Sequence, residues 1–214
     1  MAELPKIMVV GCGPGSPDYI SGAAVSTVKR ATSIVGTERL LGLFPDSCAE
    51  RLVMGADMNA ALDKIEKAKT MGPVAVLVSG DPGLFSFARM IVKRFGRDEV
   101  RFVPGISSAH VAFARLALDW ADARIISAHM ADPGDELSGS LAVEPKIAVL
   151  LGRLGSIKWL QEFLRMYPAP RRIFVFENLT LEDETVHEVS PEGLEGLRVS
   201  SRSVVVMVHP DLLE

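Results

Sequence analysis

Five apolar residues, Val74–Val78, run directly into Ser79-Gly80-Asp81-Pro82-Gly83. The length of the run and its three valines are typical of a β-strand that is buried on both faces. The next five residues favour a tight turn, because glycine supplies backbone freedom and proline restricts φ. Apolar residues then recur near helical spacing, so the sequence predicts a strand, a loop and a helix over residues 84–95.

The loop at residues 79–83 follows the strand at a position where α/β proteins commonly bind ligands. In open α/β sheets, ligands bind in the crevice outside the carboxyl ends of the strands. Gly80 would let the backbone approach a ligand closely, and Asp81 would add a short polar arm. The alternative is a turn that only joins the strand to the helix.

Two other loops follow apolar strands in the same way. Residues 7–10 run into Gly11-Cys12-Gly13-Pro14-Gly15, and Val100–Val103 runs into Pro104-Gly105-Ile106-Ser107-Ser108. The two serines could cap a helix over residues 107–118, or they could hydrogen-bond to a ligand. We expect the loop at residues 104–108 to lie beside the loop at residues 79–83.

The glycine-rich loop after the first strand differs from the dinucleotide-binding fingerprint. The third glycine of Gly-x-Gly-x-x-Gly would fall at position 16, which is Ser16. Pro14 and Pro17 each lack an N–H group that could face a phosphate. An NAD-dependent oxidoreductase therefore fits this loop poorly.

Composition narrows the class of protein further. The chain has 214 residues and a net charge of −4, which argues against a sequence-independent nucleic-acid binder. Cys12 and Cys48 are the only cysteines and do not form a metal-binding pair. No apolar run approaches the roughly 18 residues of a membrane span, and the first residues lack the features of a signal peptide. We expect a cytoplasmic protein that binds no metal ion, no membrane and no nucleic acid.

Hydrophobic periodicity along the chain predicts two α/β domains. Strands are predicted at residues 7–10, 32–36, 74–78, 100–103, 124–127, 146–151, 172–176 and 203–208, with an edge strand or hairpin arm at 184–189. Helices are predicted at residues 20–31, 58–71, 84–95, 107–118 and 156–167, the last with Ser156 as its N-cap. Residues 37–57 show a mixed pattern, and residues 134–139 predict a mobile loop. A short polar segment at residues 119–122 suggests domains 1–120 and 121–214, the second with more antiparallel pairing.

The three loops together resemble the signatures of a known family. In order and spacing, Gly11-x-Gly13-Pro14-Gly15-x-Pro17, Ser79-Gly80-Asp81-Pro82 and Pro104-Gly105-Ile106-Ser107-Ser108 are similar to those of the tetrapyrrole (corrin/porphyrin) methylases. The similarity covers nearly the whole chain. It implies an S-adenosylmethionine-dependent enzyme of two α/β domains with the cofactor in the cleft between them.

Segments further along the chain resemble the members that methylate C5 of a precorrin. These segments are Glu177-Asn178-Leu179-Thr180, Asp183-Glu184-Thr185, residues 115–120 and Ser127-x-His129. The resemblance implies a cobalt-precorrin substrate in anaerobic cobalamin biosynthesis. Leu150-Leu151-Gly152-Arg153 departs from the Leu-Thr-Asp that many relatives have at this place.

The resemblance also implies which residues bind the cofactor. They are Pro14, Gly80, Asp81, Gly83, Leu84, Phe85, Ser107 and Ser108 in the first half, and Leu151, Gly152, Asn178 and Leu179 in the second. Asp81 and His129 are the candidates for a catalytic role, and no metal ligand is implied. Because the substrate carries many carboxylates, arginines such as Arg39, Arg89, Arg115 and Arg153 are candidates to face it.

Partners and competing functions follow from the same resemblance. Family relatives are dimers, and we expect a homodimer in which apolar residues such as Phe44 form a two-fold interface. The chain ends at Glu214, which suggests the stand-alone form with a separate C15-methylating decarboxylase. The alternatives are methylation of another ring carbon, a non-tetrapyrrole substrate as in diphthine synthesis, and a corrinoid-binding protein without activity.

Overall fold

The protein is described from a computed structural model, which covers residues 6–129, 131–152, 154–195, 197, 200 and 202–214. The chain divides into two compact units between Ser107 and Ser108. We expected the division near residue 120, after the helix that follows Ser107. The structure groups this helix with the second unit, where it packs against the last strand.

The first unit contains a five-stranded parallel sheet. Its strands are β1 (Ile7–Gly11), β2 (Ser33–Gly36), β3 (Glu50–Val53), β4 (Val74–Val78) and β5 (Val100–Val103), in the order β3-β2-β4-β1-β5. Strand β1 pairs with both β4 and β5, and Gly11 lies opposite Val78 while Val10 lies opposite Val103. The carboxyl ends of these three strands are therefore adjacent, which brings the loops that follow them together.

Helices cover both faces of this sheet. They are α1 (Gly22–Arg30), α2 (Glu38–Gly42), α3 (Met58–Ala68) and α4 (Ala88–Phe95). One face of β4 packs through Ala75 and Leu77 in the cluster that includes α1 and α2. The other face packs through Val74, Val76 and Val78 in the cluster that includes α3 and α4. All five residues of β4 are buried, which confirms the sequence-based prediction of a strand buried on both faces.

Two sequence-based predictions for the first unit were wrong, namely the start of a helix at residue 84 and the exposure of Phe44. Helix α4 begins at Ala88 and not at residue 84, because Phe85 has a φ of 46° that a right-handed helix does not allow. The segment 37–57, for which the sequence showed only a mixed pattern, contains α2 and β3, which are too short for a clear periodic signal. Phe44 is only 7% exposed and packs in the core with Leu40 and Leu41, so it cannot form a two-fold interface.

The second unit contains a mixed five-stranded sheet. Its strands are β6 (Arg124–Ser127), β7 (Lys146–Leu150), β8 (Arg172–Glu177), β9 (Thr185–Val189) and β10 (Val204–Val208), in the order β6-β7-β10-β8-β9. Among these described strands, β6 and β7 pair in parallel, and the other three pairs are antiparallel. The prediction of more antiparallel pairing is confirmed, and so is the edge position of β9.

The helices of the second unit are α5 (Ser108–Arg115), α6 (Asp135–Leu141) and α7 (Leu154–Met166). Helix α5 ends earlier than residue 118, and Ala117 has a φ of 53° that lies outside the right-handed helix. Helix α6 lies where we predicted a mobile loop at residues 134–139, and its Leu141 is fully buried in the core. Ser156 lies inside α7 and is buried, so it is not the N-cap.

None of the helices that the structure describes combines the length and the apolar character that a membrane crossing requires.

Candidate active site

Backbone pairing joins the glycine-rich loop to the loop after β4. The Gly80 N–H donates to the Gly13 carbonyl at 2.8 Å, and the Gly13 N–H donates to the Gly80 carbonyl at 3.3 Å. Both glycines have positive φ, 76° for Gly13 and 63° for Gly80, where a side chain would be strained. Glycine at both positions therefore allows the two loops to pair directly beyond their strands.

The loop after β5 approaches the other two loops so closely that Gly11 and Gly105 have no room for a side chain. A Cβ atom on Gly105 would collide with the Gly80 carbonyl oxygen and lie 2.8 Å from the Cα of Gly11. A Cβ atom on Gly11 would lie 2.7 Å from both the Gly105 nitrogen and the Gly80 oxygen. These neighbours are backbone atoms, which cannot rotate away. The expected juxtaposition of the loops after β4 and β5 is thus observed, with the glycine-rich loop between them.

The carboxylate of Asp81 holds two of these loops together. Its Oδ1 accepts a hydrogen bond from the Gly83 N–H at 2.7 Å, and its Oδ2 accepts one from the Gly105 N–H at 3.0 Å. The first bond closes the Asp-Pro-Gly turn, and the second fixes this turn to the loop after β5. We predicted Asp81 as a cofactor ligand or catalytic group, and the structure shows that both of its oxygens bind backbone.

An Asp81→Asn variant is expected to lose about 1–3 kcal/mol of unfolding free energy. An asparagine can accept one of the two backbone hydrogen bonds, but its amide nitrogen then faces the other N–H donor. The matched control is Asp57→Asn, because Asp57 accepts from both Asn59 and Ala60 through a single oxygen, Oδ1. Urea unfolding of the two variants should show a large decrease in the free energy of unfolding for Asp81→Asn and a small one for Asp57→Asn. Equal, small losses would mean that the carboxylate does not hold the loops together.

The remaining predicted ligands of the first unit differ in exposure. Ser107 is buried, Pro14 and Leu84 are half-buried, and Gly83 is exposed. Phe85 is 60% exposed and has a φ of 46°, a conformation that costs a residue with a side chain about 1–2 kcal/mol. Residues with a strained backbone cluster at active sites and ligand-binding sites.

Cys12 lies in the glycine-rich loop and is chemically protected. Its thiol is buried and donates to the Val10 carbonyl oxygen at 3.5 Å, and burial raises its pKa to about 12. Cys48 is exposed.

We therefore expect a thiol reagent at neutral pH to label one cysteine, Cys48, in the folded protein and both cysteines after denaturation. Rapid labelling of Cys12 in the native protein, detected by peptide mass spectrometry, would contradict the buried position of this loop.

In the second unit, His129 and Gly152 lie side by side. The His129 side chain is exposed, and its ring occupies the space that a Cβ atom on Gly152 would need. Leu151 is buried, and its N–H donates to the Ser203 carbonyl at 3.0 Å. Gly152 therefore makes room for the imidazole ring. Arg153, which we predicted as a substrate contact, lies outside the described residues.

The turn between β8 and β9 presents an acceptor that has no partner among the described residues. Asn178 has a φ of 50°, and its Nδ2 donates to Asp183 Oδ2 at 2.8 Å. The Oδ1 atom of Asn178 is buried and accepts no hydrogen bond from the residues that the structure describes. Such an atom is costly to leave unpaired, so it fits a ligand that carries an N–H or O–H donor. The next residue, Leu179, is buried.

The predicted substrate-facing arginines have different surroundings. Arg39 is exposed and donates to Ser79 Oγ at 2.7 Å, which places its guanidinium beside the loop after β4. Arg89 is exposed on α4. Arg115 forms two hydrogen bonds with Glu184, a partner that we did not predict. Both residues lie in segments that the family resemblance singled out, but their separation of 69 positions gave no sign that they touch.

The path from the glycine-rich loop into α1 also differs from that of a dinucleotide-binding fold. In that fold the glycine turn leads directly into a helix whose N-terminus faces the phosphates. Here a short 3₁₀ turn at Pro17–Tyr19 intervenes, and Ser21 caps α1 by accepting from the Ala24 N–H. The observed geometry therefore differs from a dinucleotide-binding loop, as the sequence of this loop predicted.

Comparison with known proteins identifies the family to which this chain is similar. Residues 6–194 match the family model described as Tetrapyrrole (Corrin/Porphyrin) Methylases. The chain is 31% identical to the cobalt-precorrin-7 C(5)-methyltransferase of Salmonella typhimurium, over 85% of this chain and 89% of that protein.

Solved structures show the same fold. The cobalamin biosynthesis precorrin-6Y methylase of Archaeoglobus fulgidus has a TM-score of 0.73 and 23% identity, over 95% of this chain and 97% of that one. The uroporphyrin-III C-methyl transferase of Thermus thermophilus, complexed with S-adenosylhomocysteine, has a TM-score of 0.79 and 22% identity over the same shares. Because the family model matches residues 6–194, which extend over both units, the chain belongs to the tetrapyrrole methylase family.

Proposed function

We propose that this protein is an S-adenosylmethionine-dependent methyltransferase that methylates C5 of cobalt-precorrin-7 in cobalamin biosynthesis. The observation that carries the proposal is the 31% identity to a cobalt-precorrin-7 C(5)-methyltransferase, which extends over 85% of this chain. The sequence segments that resemble C5-methylating enzymes, among them Glu177-Asn178-Leu179-Thr180, support the same ring position.

The cofactor supplies a methyl group on a positively charged sulfur atom. In the first unit, we propose that the backbone of residues 80–85 holds the methionine part of the cofactor, with Ser107 nearby. The pairing of Gly80 with Gly13 and the hydrogen bonds of Asp81 constrain this backbone. A rigid site loses little conformational freedom on binding, which favours affinity.

We also propose cofactor-binding residues in the second unit. The unpaired Oδ1 of Asn178 suits an amino or hydroxyl donor of the nucleoside part. Pro14 in the first unit and Ser108, Leu151, Gly152 and Leu179 in the second complete the set of proposed cofactor-binding residues.

The protein's contribution to the reaction is mainly orientation. An electron-rich corrinoid ring provides its own nucleophilic carbon, so no residue has to form a covalent intermediate. Holding two reactants in line can lower a barrier by roughly 7–11 kcal/mol. Asp81 is bound to two backbone N–H groups, which favours a structural role, and His129 remains the candidate for accepting a proton.

The test is a single reaction with cobalt-precorrin-7 and S-adenosylmethionine that carries a ¹³C-labelled methyl group. We expect one labelled methyl group per product by mass spectrometry and a carbon–carbon bond at C5 by NMR. A methyl group at another ring carbon would contradict the proposed position but not the family. Calorimetry that detected binding of NAD, with no response to S-adenosylmethionine or S-adenosylhomocysteine, would contradict the reaction class.

Two further parts of the proposal concern partners. We propose a homodimer, which light scattering at micromolar concentration should show as twice the chain mass of 23.1 kDa. We also propose that a separate enzyme methylates C15 and decarboxylates the product. A mass of one chain by light scattering would contradict the proposed dimer. A product with two added methyl groups, formed by this protein alone, would contradict the proposal of a second enzyme.

A further inference from the structure

The turn between β8 and β9 has an unusual backbone. Two of its residues, Asn178 and Thr180, have positive φ values of 50° and 72°. Neither is glycine, and a β-branched threonine tolerates this region worst. Each such residue is strained and persists only where the surrounding contacts enforce its conformation. The turn must therefore be held by specific interactions.

The side chain of Glu184 provides these interactions. Its Oε2 accepts from the Thr180 N–H at 2.6 Å and from Arg115 Nη2 at 3.0 Å, while its Oε1 accepts from Arg115 Nε at 2.6 Å. Arg115 is the last residue of α5, so the pair ties the end of this helix to the turn. The Arg115 guanidinium holds the pKa of Glu184 below its ordinary value, which keeps the carboxylate charged at neutral pH.

The turn held in this way presents the unpaired oxygen of Asn178. The side-chain nitrogen of Asn178, Nδ2, is fixed by Asp183. The backbone carbonyl of Asn178 accepts from the Leu181 N–H at 2.9 Å. With its nitrogen fixed, the amide group can point its Oδ1 in only one direction. This direction depends on the positive φ of Asn178 and therefore on the contacts that hold the turn.

We propose that Arg115 and Glu184 are positioning residues for cofactor binding, which hold the turn so that Asn178 Oδ1 accepts a hydrogen bond from S-adenosylmethionine. The inference rests on the proposed function, since it assigns the donor to that cofactor. It differs from the role that the resemblance implied for Arg115, which was to face the substrate carboxylates. It also gives Glu184 a role that the sequence did not suggest.

The same hairpin contains a matched control for this ion pair. Arg172 and Glu188 form a second bidentate pair at 2.7 and 2.7 Å, on the strands β8 and β9 themselves. Their side chains are 42% and 46% exposed, and Glu188 lies opposite Phe174 within the pairing of β8 and β9. A Glu188→Gln change therefore removes a charge and an ion pair from the hairpin without releasing the turn.

The experiment measures binding of S-adenosylhomocysteine, a stable probe, by calorimetry. We expect Glu184→Gln to raise the Kd about tenfold, as loss of one charge-assisted contact would. Glu188→Gln should change it less than twofold. Arg115→Lys keeps the charge but loses the two-pronged geometry, and we expect it to weaken binding by a smaller factor than Glu184→Gln.

A double-mutant cycle separates positioning from general damage to the fold. If Glu184 acts through Asn178, Glu184→Gln should have little further effect on the Kd in an Asn178→Ala background. Additive effects of the two changes, or an unchanged Kd for Glu184→Gln, would overturn the inference while leaving the proposed function in place. If the parent protein did not bind the probe, the proposed function and the inference would both fall.

Discussion

A Gly80→Val variant is expected to remain folded but to lose about a hundredfold in affinity for S-adenosylhomocysteine, or roughly 2.7 kcal/mol. Gly80 has a φ of 63°, and a β-branched residue in this region is strained by about 2 kcal/mol. A Cβ atom there would lie 3.5 Å from the Cα of Ser107, so space is sufficient and the backbone angle is the problem. Relief of the strain would move Gly80 away from Gly13 and shift the proposed methionine-binding backbone.

The control for this variant is Gly96→Val. Gly96 also has positive φ, 87°, but it ends helix α4 and no atom lies within 4 Å of an added Cβ. The two variants should lose similar unfolding free energy in urea, because both place valine in a region that only glycine adopts readily. Calorimetry should show normal affinity for Gly96→Val. If Gly80→Val also bound the probe normally, the loop after β4 would be a turn without a role in binding.

The largest expected loss of stability is that of Gly105→Ala. The added methyl group would collide with the Gly80 carbonyl oxygen and approach the Gly11 backbone to 2.8 Å. Because all of these atoms belong to the backbone, the loops after β1, β4 and β5 would have to separate. We expect a cost of about 3 kcal/mol, at the upper end of overpacking effects, together with loss of cofactor binding.

Gly22→Ala serves as the matched control for Gly105→Ala. Gly22 is the first residue of α1, its φ is not positive, and no atom lies within 4 Å of an added Cβ. Alanine there should leave the midpoint of urea unfolding unchanged or raise it slightly. A Gly105→Ala protein that unfolded at the same urea concentration as the parent would show that the three loops do not approach as closely as described.

Elements with a strong local signal were predicted correctly. Strand β4 was recognisable because five apolar residues stand between turn-forming residues, and the glycine and proline residues of the three loops mark turns by their own backbone preferences. Short elements were not recognised. Helix α2 has five residues and β3 has four, so neither completes enough of a period to stand out.

Predictions from local residue types were wrong where a contact with a distant part of the chain decided the structure. Phe44 was expected at the surface but is buried among residues of α2 and the sheet. The polar, glycine-containing segment at residues 134–139 was expected to be a loop, yet it forms part of α6 because Leu141 anchors the helix in the core. Ser156 is a common N-cap residue that is here buried inside α7.

The amino-acid sequence by itself determined the α/β class, the three loop motifs and the family, because these depend on residue types over short stretches. The tertiary structure decided what the motif residues do. The strand order places β1 between β4 and β5, so Asp81 reaches a backbone N–H 24 positions away and Gly11 meets Gly105. Arg115 and Glu184 lie 69 positions apart and carry no pattern that links them. Such contacts arise only when the folded chain brings distant segments within hydrogen-bonding distance, and periodicity along the chain contains no information about them.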